Sequence, residues 1–77
     1  MKKITEKNID TVKIGDVLFS KSRKEFMLIT KIITKSNFYD ERKTYIVYIP
    51  SRPKQIYNPN QIYAIYTKEN LKKYYLL

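Results

Sequence analysis

The sequence predicts an all-β fold, and three observations carry that expectation. The apolar residues, 43% of the chain, are rich in isoleucine and tyrosine, which suit a pleated, half-buried surface. Several short stretches alternate with period two, and no long helical periodicity precedes them. Turn formers separate these stretches: Gly15-Asp16, the polar run 36–42, and prolines at 50, 53 and 59. Seventy-seven residues make a single domain, 1–77, near the lower limit for a self-sufficient core.

Residues 1–11 read as a polar lead-in with one helical turn around Ile4 to Ile9. The first strand is expected in "VKIGDVLFS", from Val12 onward, with a bend at Gly15-Asp16. A charged connection, "KSRK" (residues 21–24), leads into "EFMLITKIITK", the longest β-branched and apolar run. Its alternation places Phe26, Leu28, Thr30, Ile32 and Thr34 on one face. Glu25, Met27, Ile29, Lys31, Ile33 and Lys35 lie on the other, which is expected to look outward because it is charged. "KTYIVYIP" is the next strand, ended by Pro50, which lacks a donor for the ladder. "KQIYN" reads as a short strand, "PNQI" as a 3₁₀ turn, and "YAIYT" as the last strand. Thr67 then caps a helix expected over residues 68–77, with Glu69 in its first turn. Leu71, Tyr74 and Tyr75 share one side of that helix.

This element order resembles a small five-stranded SH3-like barrel with a 3₁₀ turn before the last strand and a short C-terminal helix. "VKIGDVLF" and "NPNQIYAIY" carry the resemblance, which covers residues 12–67. The architecture hosts unrelated functions, so activity has to be read from side chains.

Charge is the first functional clue. Sixteen basic and seven acidic residues give +9, and residues 21–54 hold nine of the bases and three of the acids, +6 of the total. Such an imbalance points to a polyanion; the plainer reading is AT-rich coding and solvated lysines. In "KTYIVYIP", Tyr45 shares a face with Val47 and Ile49 and belongs to the core, whereas Tyr48 lies with Thr44 and Ile46. Pairing this strand with the one before it sets Lys35 opposite Thr44, Ile33 opposite Ile46 and Lys31 opposite Tyr48. The result is a cationic outer stripe with one aromatic ring, as in barrels that stack single strands. Candidate nucleic-acid contacts are therefore Arg23, Lys24, Lys31, Lys35, Arg42, Lys43, Tyr48, Arg52 and Lys54. The basic turns 21–24 and 51–54 could share a patch, extended by Lys72 and Lys73.

Phe38 and Tyr39 form a second candidate, at the tip of the 36–42 loop. Adjacent exposed rings mark contact surfaces, and the neighbouring Asp40 and Glu41 favour a protein partner over a nucleic acid.

The chain has no histidine or cysteine, no phosphate loop and no dinucleotide glycine pattern. Its acids are scattered, so no enzyme activity, metal or cofactor is expected. The leading expectation is a non-catalytic barrel that binds DNA or RNA mainly through the phosphate backbone. The alternative is a protein-interaction module, since small basic chains of this kind look like accessory proteins of bacteriophages and mobile elements that modulate a host protein. A homodimer through a sheet edge is a variant of that idea. "FMLI" and "YYLL" are too short to cross a bilayer, and the two early lysines lack an apolar run behind them. A cytoplasmic protein without a signal peptide is expected.

Overall fold

The computed structural model describes residues 1–50 and 63–77. The protein is mainly β, as the alternation predicts. One antiparallel sheet holds β1 (Lys2–Lys3), β2 (Val17–Ser20), β3 (Glu25–Ser36), β4 (Glu41–Tyr48), β5 (Tyr63–Thr67) and β6 (Tyr75–Leu76), in the order β1-β6-β2-β3-β4-β5. Among the described residues this sheet has six strands and is not closed. The expected strand "KQIYN" and the 3₁₀ turn "PNQI" lie outside the described residues.

Hydrophobic residues from one side of the sheet form the core: Leu18, Met27, Ile29, Tyr45, Val47 and Ile49. A sheet face this apolar needs a cover, and two segments supply it. Ile4, Ile9 and Val12 come from the N-terminal segment, and Leu71 and Tyr74 from the C-terminal one. The first eleven residues are thus no polar lead-in. Lys2–Lys3 is a strand, a 3₁₀ turn spans Ile9–Thr11, and Ile4 and Ile9 are buried. Asn8 organises this segment: its Oδ1 accepts from the Thr5 N–H at 2.8 Å, and its Nδ2 donates to the Lys3 carbonyl at 2.8 Å.

The first long strand starts later than expected, at Val17. The chain turns at 13–16, where the Lys13 N–H donates to Asp16 Oδ2 at 2.9 Å and Gly15 adopts φ +94°. A Cβ there would touch nothing, so the backbone angle alone calls for glycine.

One irregularity decides the faces of β3. The register with β4 runs Leu28↔Tyr48 and Ile29↔Val47, then jumps to Lys31↔Ile46 and Ile32↔Tyr45. Thr30 is the extra residue of a β-bulge, which exchanges the two faces at that point. Its hydroxyl donates to the Ile46 carbonyl at 3.0 Å. Before the bulge Met27 and Ile29 point inward while Phe26 and Leu28 point out, the reverse of the alternation-based expectation. After it Ile32 packs against the core, and Lys31, Ile33 and Lys35 take outward positions, as expected.

At the C-terminal end Thr67 caps α1 (Lys68–Leu71) in a reciprocal capping box with Asn70. The helix stops at Leu71 rather than continuing to 77. Leu71 is buried, the chain turns, and Tyr75 and Leu76 enter the sheet between β1 and β2. Ladder bonds on both sides outweigh the helical spacing of Leu71, Tyr74 and Tyr75. Ion pairs then clamp the cover together. Lys72 binds Glu6 and Glu69, and Lys68 binds Asp10 at 3.0 Å. The Lys68 hydrogen bond lowers the Asp10 carboxyl below its ordinary value. No helix among the described residues is long and apolar enough to cross a membrane.

The Tyr45 hydroxyl is buried and has no hydrogen-bond partner among the described residues, and burial pushes the pKa of its phenol upward. Leaving such a group unsatisfied is costly, so Tyr45→Phe should raise the unfolding free energy by about 1 kcal/mol, while Tyr45→Ala loses about 3–5. A Phe variant less stable than the parent in urea would show that the hydroxyl is bonded. By the same measurement Thr30→Val, which removes the hydroxyl donor to the Ile46 carbonyl, should cost about 1 kcal/mol.

Candidate nucleic-acid interface

The other side of the sheet carries the candidate site. Alternation and register place its side chains in rows. Lys3, Tyr75, Phe19 and Phe26 form one row across β1, β6, β2 and β3. Val17, Leu28, Tyr48 and Tyr63 form the next, across β2 to β5. Lys31, Ile46 and Ile65 follow, then Ile33, Thr44 and Thr67, and finally Lys35 and Arg42.

This face is unusually apolar for a surface that no described segment covers. Phe26 is 49% exposed, Tyr63 47% and Ile65 71%. Phe19 and Phe26 make a tilted ring contact with centroids 4.9 Å apart, and Tyr48 and Tyr63 one with 5.4 Å. Ring contacts of this kind pin the aromatic planes against the sheet. Two ammonium groups lie over the Tyr75 ring, Lys3 Nζ at 4.8 Å and Lys21 Nζ at 4.2 Å from its centroid.

Its charge is one-signed. The strand positions on this face hold Lys3, Lys31, Lys35 and Arg42, and among the described residues no acid. Lys35 and Arg42 stand directly opposite each other, an arrangement that is unfavourable without an anion nearby. Asp40 offsets part of this: its Oδ2 accepts from Arg42 Nε at 2.8 Å, which lowers the Asp40 carboxyl and raises the guanidinium. The acids elsewhere serve the covered side, where Glu6, Asp10 and Glu69 hold Lys72 and Lys68.

The candidate residues divide accordingly. Tyr48 is half-buried on the outer face, but its cross-strand neighbours are Leu28 and Tyr63; Lys31 faces Ile46, two residues from the expected partner. Lys35 faces Arg42 instead of Thr44, and Ile33 faces Thr44 instead of Ile46. Lys43 takes the opposite face, with Tyr45, and lies near enough to Asp10 to lower its pKa further. Arg23 and Lys24 sit in the β2–β3 turn, at the other end of β3 from the loop that carries Phe38 and Tyr39. Arg52 and Lys54 lie outside the described residues. Lys72 belongs to the ion-pair clamp on the covered side.

Alternation alone missed Phe26 and Leu28, because the bulge reverses them, and Tyr75, because its strand reads as helix. Tyr63 and Ile65 had a visible signal, their shared parity, but nothing in it said which face was outward. No group of acids among the described residues could hold a metal ion. No family model matches the chain, and neither a curated protein nor a solved structure shows significant similarity to it.

The β2–β3 turn stores strain at Lys24, which adopts φ 54°. A side chain is disfavoured there by roughly 1–2 kcal/mol, and glycine is not. Lys24→Gly should therefore raise the thermal midpoint while removing one cation, and a lower midpoint would show that the lysine side chain holds the turn.

Proposed function

We propose that the protein binds single-stranded nucleic acid across the outer face of its sheet, as a binding module without a reaction of its own. The observation that supports this most is the joint pattern on that face. Phe26, Tyr48, Tyr63 and Tyr75 supply aromatic surfaces, and Lys3, Lys21, Lys31, Lys35 and Arg42 lie among them without an acid at any described strand position of that face. Single strands expose their bases, which stack on such rings whatever their identity, while lysine and arginine follow the phosphates. Duplex DNA keeps its bases stacked inside and would use only the cations. Sequence readout on this face is slight, because it offers aromatic planes and aliphatic groups more than directional donors. A closed SH3-like barrel is not required; an open sheet is platform enough.

Titration of a labelled single-stranded oligonucleotide over a salt series tests the reading. Affinity should fall linearly on logarithmic axes, by about 0.7 in slope for each phosphate neutralised. Lys31→Gln with Lys35→Gln should flatten that slope by about 1.4. Tyr63→Ala should weaken binding about tenfold at every salt concentration, as expected for one lost stacking contact. An affinity indifferent to salt, or no binding at low salt, rules the proposal out.

A further inference from the structure

The β3–β4 hairpin extends beyond the core as an arm. Ile32 and Tyr45 are its last pair in contact with the core; Thr34, Lys35 and Ser36 on one strand and Glu41 and Arg42 on the other are exposed. The loop at the end is tied down. Asn37 Oδ1 accepts from the backbone N–H groups of Tyr39 at 2.9 Å and Asp40 at 2.8 Å, and the Asn37 N–H donates to the Asp40 carbonyl at 2.8 Å. Phe38 and Tyr39 are nevertheless 100% and 98% exposed. A turn held by its own hydrogen bonds thus presents two rings that cover nothing in the protein.

What the rings meet is indicated by the charges behind them. Lys35 and Arg42 stand on the outer side of the arm, in line with Lys31 and the aromatic rows. Glu41 pairs with Ser36 on the opposite side and does not face that track. Asp40 is engaged by Arg42. Asp40 is thereby offset by Arg42, and Lys35 adds a further positive charge on the outer side. Two-stranded ribbons are narrow enough to enter a nucleic-acid groove, and apolar side chains act as wedges against base pairs.

We infer that the substrate is a fork, where duplex opens into single strand. The rings of Phe38 and Tyr39 stack on the last base pair, and Lys35 and Arg42 hold the phosphates at the branch. The released strand continues over Tyr48 and Tyr63 toward Tyr75. This rests on the single-strand reading above and adds a structure preference to it.

The test compares one labelled single strand with the same strand carrying a duplex at one end, using the full chain and the Phe38→Ala/Tyr39→Ala variant. Both rings are exposed, so the variant should fold; its thermal midpoint checks this. The parent should bind the fork about tenfold more tightly than the strand, equivalent to one stacking contact. The variant should lose that preference and keep its single-strand affinity within about twofold. The fluorescence of a 2-aminopurine in the last base pair should be quenched further by the parent and not by the variant. Equal affinity for fork and strand, or a preference that survives loss of the rings, overturns the inference and leaves single-strand binding intact. So does a variant defective only in sedimenting with vesicles of phosphatidylserine and phosphatidylcholine, which would make the tip a membrane contact. Absence of binding to either oligonucleotide at low salt removes both readings together.

Discussion

A single extra residue, Thr30, reverses the sidedness of the longest strand halfway along it. Upstream, this lets Met27 and Ile29 enter the core; downstream, it sends Ile32 inward and the lysines out. Without the reversal, one half of β3 would bury charge or expose core. The bulge thereby sets both properties of the outer face at once. Phe26 and Leu28 are turned into solvent beside the other rings, and Lys31 and Lys35 follow them on the same surface.

The covered side imposes the complementary constraint. A chain of this size buries a limited share of its surface, and the described segments that cover the sheet come from both ends of the sequence. They bring Glu6, Asp10 and Glu69, whose carboxylates are matched by Lys68 and Lys72. Pairing the acids there separates the signs of charge between the two sides. Exposed ion pairs contribute little to stability individually. Their larger effect is on the field, because the uncovered face keeps its cations with few acids in reach.

Much of the fold was legible in local patterns and little of it in longer-range ones. Period-two alternation found β3 and β4, and the parity of Tyr45, Val47 and Ile49 identified the buried side of β4 correctly. Thr67 was readable as a cap because its side chain acts on the adjacent turn. Phe26 and Leu28 were misassigned because a bulge leaves no compositional mark in a run of β-branched residues. Tyr75 was misread because its strand exists only through partners at Lys3 and Phe19, far away in sequence. The candidate site shows the same division. Lys31, Lys35, Arg42 and Tyr48 could be picked as outward residues, whereas the rows joining them to Phe26, Tyr63 and Tyr75 depend on a register that no short window contains.

The place of β6 between β1 and β2 has a bearing on how the molecule assembles. Lys2 and Lys3 have no strand neighbour except Leu76 and Tyr75 among the described residues. A chain synthesised from its amino end must therefore keep that first strand waiting until residues some seventy positions later have been made and docked. Closing so long a loop adds to the cost of that pairing, so β1 joins the sheet only through residues some seventy positions away.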